Sequence, residues 1–325
     1  MLVFENRAST ILFRLLLGIN NKKSFLLPAN VCPIVVTTFL KAGVPFEFVD
    51  ISALTLCMDE DETLHKLTRA GDRYGGVLFV RSYGTDRDVA PFFRRIKELS
   101  NQFLIIDDKC LAVPEFDGER ASQADVSLYS TGLLKYVELG WGGFAYVATD
   151  TPYDSKATIN YDQANLNQLQ SHIKRCLTEQ TPFIYTDSDW LNGSSPVVGF
   201  TEYRDLVDIK YKTVFAHKQK INCIYRENIP MAVQLPDEFQ QWRFNIMVPA
   251  RDELIKKISI SNLFAGTNYP SLAHIFRAES APISHQFHGT VVNLFNDCRF
   301  LPDQAWRMVE IVQRHLADHD VSSSV

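Results

Sequence analysis

The stretch YSTGLLKYVELGWGG, residues 129–143, sets one primary amine, Lys135, between the hydroxyl pair Ser130 and Thr131 and the glycines Gly140, Gly142 and Gly143. Leu134 and Tyr136 flank the lysine, a poor surrounding for a solvated charge. An amine whose ammonium form is disfavoured is a nucleophile that condenses with an aldehyde to a Schiff base. Upstream, QFLIIDD (102–108) ends an apolar run in two carboxylates, Asp107 and Asp108. A carboxylate that is buried wants a cationic partner. Each part alone has a plainer reading: a loop lysine, a helix-capping aspartate pair, a turn hydroxyl at Ser130. The three in this order argue for chemistry more than any one of them.

The elements that would position these groups are legible in the first half of the chain. SFLLP (24–28), FEFVDI (46–51), GVLFV (76–80), QFLIIDD, DVSLYS (125–130) and GFAYVAT (143–149) are short apolar runs. Between them lie amphipathic stretches, 31–43 closing at Gly43 and 86–100 with Phe92, Phe93, Ile96 and Leu99 at helical spacing. Near-continuous apolar strands alternating with helices predict a mainly parallel sheet covered on both faces. In such sheets ligands collect at the carboxyl ends of the strands, where Asp107, Asp108 and Ser130 fall. The opening segment reads as an amphipathic helix interrupted by Arg14, with a start near Arg7–Thr10. After about residue 150 the pattern changes: helical 154–180, loop-like 181–200, helical 201–226, then strand and helix in alternation to a last helix at 302–318. The expected organisation is a large α/β domain over 1–180, then linking helices and a small α+β domain over 181–325. The final SSSV reads as disordered.

Composition excludes several classes. The chain has 325 residues, 46% of them hydrophobic, enough for a large core. Its net charge of −5, with scattered basic residues, offers no stripe for nucleic acid. No apolar run approaches the length that spans a bilayer. Six cysteines lie far apart with no metal spacing, and read as reduced, mostly buried thiols of a cytosolic protein without a metal site. His285 and His288 read as a solvated pair, Tyr269 as a turn residue or a substrate contact, and the four tryptophans as core or interface.

The ordered set resembles the DegT/DnrJ-type sugar aminotransferases, fold-type I pyridoxal-phosphate enzymes. LLPANVCPIVVTTFLKAGVPFEFVDI, VRSYGTDRDV, LIIDDKCLA, YSTGLLKYVELGWGG, GTNYPSL and VVNLF are similar to that family's landmarks, in its order. The resemblance implies pyridoxal 5′-phosphate as cofactor, with Lys135 as the Schiff-base lysine and proton carrier. It implies Asp108, or failing it Asp107, as partner of the pyridine nitrogen, and Ser130 as a phosphate ligand. Ala8 and Ser9 fall where the family's first helix also holds the phosphate. Asn6-Arg7 replace a Gly-Thr there, and Arg7 is a candidate phosphate clamp. Cys32 stands where an aromatic stacks on the cofactor ring, and Leu111 where Gln or His packs on it; Trp141 replaces a glutamate. The implied reaction moves an amino group from glutamate to a nucleotide-linked keto-sugar, in a cytoplasmic homodimer with sites at the interface. A related dehydratase or a cofactor-free binding protein are the alternatives, and the retained lysine favours transamination over the first.

Overall fold

In the computed structural model, residues 1–19, 22–117, 123–277 and 279–319 are described. The chain opens with β1 (Leu2–Glu5) and α1 (Ala8–Gly18), followed by β2 (Ser24–Pro28), α2 (Pro33–Ala42) and β3 (Phe46–Val49). Next come α3 (Glu60–Arg69), β4 (Tyr74–Val80), α4 (Ala90–Leu99), β5 (Leu104–Asp108), β6 (Val126–Ser130) and β7 (Gly143–Val147). The rest comprises α5 (Gln163–Glu179), α6 (Phe200–Asn228), β8 (Phe244–Met247), α7 (Arg251–Ile260), β9 (Ala265–Gly266), α8 (Ala273–Arg277), α9 (Pro282–His288), β10 (Val291–Leu294) and α10 (Pro302–Asp318).

The first seven strands make one sheet in the order β1-β7-β6-β5-β4-β2-β3. β6, β5, β4, β2 and β3 run parallel, while β7 and β1 close one edge antiparallel. This is the expected mainly parallel sheet with helices on its faces. Strand periodicity divides its two cores. Leu78, Val80, Ile106, Val126 and Leu128 point into the core beneath α1 and α2, whereas Val77, Phe79 and Ile105 point into the one beneath α3 and α4. A second sheet, β8-β10-β9, is antiparallel and packs its Phe244, Ile246, Val292 and Leu294 against apolar residues of α6, α7 and α10.

Helix ends follow local chemistry. α2 starts on Pro33, whose missing N–H has no partner to lose there, and stops at Gly43 in the left-handed region at φ 63°. α3 escaped the sequence reading although its signal is present. Asp59 accepts the Glu62 N–H at 2.8 Å, and Glu60, Asp61 and Glu62 fill the first turn. α1 begins at Ala8, within the expected Arg7–Thr10, and residues 2–5 before it form an edge strand paired with β7 that the sequence reading did not name. One further expectation is corrected. The helix expected over 154–180 begins only at Gln163, where Asp162 accepts the Ala164 N–H. The cysteines are all free thiols, but they are not mostly buried: only Cys57 and Cys176 are, while Cys223 and Cys298 are exposed. The SSSV segment lies outside the described residues. No helix among the described residues is long and apolar enough to cross a membrane.

Candidate active site

Side-chain alternation along β5 separates its two terminal aspartates. Asp107 shares the parity of Ile105 and turns toward α3 and α4, where Arg81 grips it with both arms, Nε–Oδ1 at 2.8 Å and Nη2–Oδ2 at 2.9 Å. Asp108 shares the parity of Ile106 and turns the other way, into a cavity of about 1370 Å³. It is only 6% exposed and no ion pair reaches it among the described residues. Its Oδ1 accepts the Cys110 N–H at 2.9 Å. Burial pushes its carboxyl above the usual range, against the opposing pull of the Cys110 hydrogen bonds and of the charge on Lys135.

The N-terminus of α1 comes up to the same cavity because two glycines let it. Gly142 sits at φ +93° and donates its N–H to Asn6 O at 2.7 Å. A Cβ on Gly143 would lie 2.7 Å from the Ala8 Cα, so any side chain would lift the helix off β7. The first amides of a helix have no intrahelical acceptor, and Ala8 and Ser9, the first two residues of α1, line the cavity. No acidic residue stands in that first turn to compete for an anion. Arg7 is at the same wall, its Nη1 donating to Gly140 O at 2.6 Å. Ser130, on β6 beside Asp108's strand, faces this corner, and its Oγ accepts the Gly132 N–H at 3.2 Å. Two helix amides, a guanidinium and a hydroxyl together form an anion cradle.

Lys135 sits not on a helix but in a turn after β6, half-buried, following Leu134 at φ +58°. It borders the cavity with Asp108 and Cys32, and its charge acts on Asp108, Cys32 and Cys110. Cys32 caps α2 and offers a thiol where the resemblance puts an aromatic. Opposite, Tyr269 lines the cavity and stacks on Trp242 (6.2 Å, 19°), which stacks in turn on Tyr83 (6.2 Å, 26°). Burial, and the nearness of Cys32 and Asp108, hold the Tyr269 phenol well above its usual range. The outer rim comes from Gln170 and Lys174 of α5 and from the α8–α9 segment with His274, His285 and His288. Burial, with the Arg251 charge next, lowers His288 to about 4.

Six of the seven residues expected at the site, Ala8, Ser9, Cys32, Asp108, Ser130 and Lys135, therefore border one cavity. Leu111 does not. Its side chain is packed in a buried apolar cluster with Tyr83, Trp242 and Phe287, against Tyr269. The expectation that His285 and His288 form a solvated pair is corrected in part: His285 is exposed, but both border the cavity and His288 is half-buried. Tyr269, read as a turn residue or a substrate contact, lines the cavity, and so does Trp242, which is also buried in the core as expected. The GTNYP segment carried a signal for Tyr269, but nothing local marks Trp242.

No protein-family model matches the chain, and no curated protein matches it in sequence. Solved structures do resemble it. A DegT DnrJ EryC1 StrS aminotransferase from Brucella abortus aligns over 97% of this chain and 86% of its own, at 14% identity and TM-score 0.67. A sugar aminotransferase from Micromonospora echinospora aligns over 96% and 87%, at 16% identity and TM-score 0.63. The ntda protein of Bacillus subtilis, with bound cofactor PMP, aligns over 97% and 73%, at 16% identity and TM-score 0.68. At these identities the likeness establishes the fold, that of the pyridoxal-phosphate aminotransferases.

Proposed function

We propose that the protein is a pyridoxal 5′-phosphate-dependent aminotransferase that moves an amino group from glutamate to a keto-sugar, carried on a nucleotide. The observation that carries this reading is the meeting, in one cavity, of Lys135, the unpaired Asp108 and the anion cradle at the start of α1. The donor set fits the cofactor. A buried carboxylate with no cation of its own suits a protonated ring nitrogen, and the cradle suits a phosphate. The space also fits: ligand pockets run to roughly 300–1,000 Å³, and this cavity of about 1370 Å³ has room for cofactor and sugar together.

When bound, the cofactor would supply an electron sink for a negative charge developing on the substrate carbon. The chain's own groups do the rest. Lys135 Nζ would hold the cofactor and would take and return the proton at the reacting carbon. Asp108, kept from water, would face the ring nitrogen and favour its protonated form. Arg7, Ser130 and the Ala8 and Ser9 amides anchor the phosphate, while the Tyr269 and Trp242 rings shield the cavity from water on the far side.

A second copy of the chain as partner is part of the same reading. Leu133 and Leu134, at the cavity mouth, are 65% and 45% exposed, an apolar pair that invites cover. Six free thiols suit a reducing compartment such as the cytoplasm. The test is direct. Protein incubated with pyridoxal phosphate and reduced with borohydride is expected to carry the cofactor on Lys135 by peptide mass, and to transfer nitrogen from glutamate to a nucleotide-linked keto-sugar. Lys135→Ala is expected to lose both; a variant that still fixes the cofactor at the same stoichiometry overturns the assignment.

A further inference from the structure

The turn that presents Lys135 is held from outside itself. Leu134, the residue before the lysine, adopts φ +58°, a region that a branched side chain seldom occupies without external restraint. Both of its backbone polar groups are tied. Its carbonyl accepts the Trp242 indole N–H at 2.7 Å, across 108 positions of sequence. Its N–H donates to Glu138 Oε2 at 2.8 Å, and Glu138 is gripped in turn by Arg299 at 3.0 and 3.2 Å.

The anchors are themselves braced. Trp242 is fully buried between Tyr83 and Tyr269, and its own carbonyl accepts from Lys218 Nζ at 2.7 Å. That amine, on a residue 2% exposed, also donates to Asn296 Oδ1 at 2.7 Å and sits 5.0 Å from the centroid of the Tyr136 ring, the residue after Lys135. Arg299 pairs with Asp297 at 2.9 Å, Asp297 with the buried Arg243 at 3.2 Å, and Arg243 lies over the Trp242 ring at 5.1 Å. The ties on Leu134 thus close into one loop of contacts, and every anchor beyond Glu138 comes from the part of the chain after residue 200.

We propose that Trp242 and the Glu138–Arg299 pair are positioning residues for Lys135: they hold the Leu134 turn so that the amine projects into the cavity beside Asp108. Neither needs to touch the reacting atoms. The indole acts through the Leu134 carbonyl, and the ion pair through the Leu134 amide. The amine of a lysine swings on four rotatable bonds, and fixing Leu134 on both sides of its own Cα, directly before the lysine, removes part of the backbone freedom that would add to them.

The test uses Trp242→Phe, which keeps an aromatic face between Tyr83 and Tyr269 and deletes the N–H donor together with part of the ring. Two readouts are taken on the full chain. Hydrogen exchange of the 133–139 amides, with no cofactor present, is expected to speed up by about tenfold, with exchange elsewhere unchanged. The rate at which pyridoxal phosphate becomes borohydride-fixed on Lys135 is expected to fall by about tenfold or more. The second readout rests on the function proposed above and the first does not. If wild-type protein fixes nothing on Lys135, that function fails while the exchange still decides the positioning. Unchanged exchange and an unchanged fixing rate in a folded Trp242→Phe protein overturn the inference. Should that variant not fold, Arg299→Gln carries the test, since its charged end is 58% exposed. A smaller shift in the same direction supports the inference, and no shift in 133–139 exchange overturns it.

Discussion

On the α3–α4 side of the main sheet, Asp107 meets Arg81 through two hydrogen bonds and is sealed from solvent. On the opposite side, one residue along the same strand, Asp108 is almost as buried, yet its hydrogen-bonding partner is the neighbouring Cys110 and no cation among the described residues pairs with it. The two carboxylates share a strand end and differ in where their counter-charge lies. Asp107 has its cation within the chain, so it is part of the scaffold. Burial raises the carboxyl pKa of Asp108, which faces an open cavity, and under the proposed function its partner is the cofactor. A buried charge left incomplete by the fold is the mark of a binding site.

This contrast can be broken by mutation, beginning with the scaffold side. Asp107→Asn strands the buried Arg81 guanidinium and is expected to cost about 3–5 kcal/mol of stability in denaturant titration, with little left of the cavity's effect to explain it. Asp108→Asn is expected to do the reverse. Amino transfer falls about 10²–10³-fold while the unfolding midpoint at neutral pH stays level or rises, because an uncompensated buried charge is gone. A marked loss of stability in Asp108→Asn would erase the distinction between the two sites. Gly143→Ala is a milder probe of the cavity side. Its methyl group pushes the Ala8 backbone off β7, and pyridoxal phosphate affinity is expected to weaken by about tenfold, read by fluorescence titration, with pyridoxal lacking the phosphate much less affected.

The smallest expected effect is in pH. The folded-state pKa of Asp108 lies above its ordinary 3.8. Between those two values the folded protein binds a proton that the unfolded chain does not, so this group's contribution to stability grows as pH falls and is lost as pH rises through the folded pKa. The stability advantage of Asp108→Asn is therefore expected to be full above the folded pKa and to close as pH falls toward 3.8, measured by thermal unfolding across the range. A gap of constant size would mean that the carboxyl titrates alike in both states.

Much of the sheet is legible in the sequence alone. Runs such as LIIDD and VSLYS are rich in apolar residues and buried on both faces, which is what a parallel strand covered by helices requires, and six of the seven candidate residues border the cavity. The choice between Asp107 and Asp108 was open in the sequence because parity has meaning only once the faces of the sheet are known. Leu111 was misplaced for a related reason. Its position three residues past Asp108 says nothing about which way the loop after β5 turns, and the apolar cluster with Trp242 and Tyr83 takes it. The edge strand Leu2–Glu5 was hidden because its partner, β7, lies about 140 residues away.

What the linear order of residues determined by itself was the inventory and the local geometry. It set the amine at 135, the carboxylates at 107 and 108, the hydroxyl at 130, the strands that end at the last two of these, and the glycines at 142 and 143 that let a helix approach. These depend on residue chemistry and on backbone periods spanning a few positions, so neighbours in sequence suffice. Only the tertiary structure decided that the indole of Trp242 holds the turn before Lys135, that Tyr269 and His288 border the cavity, and that Asp108 rather than Asp107 is left without a cation. Each of those depends on segments brought together across a hundred or more positions, or on which face of a sheet a helix comes to cover, and no local period encodes either.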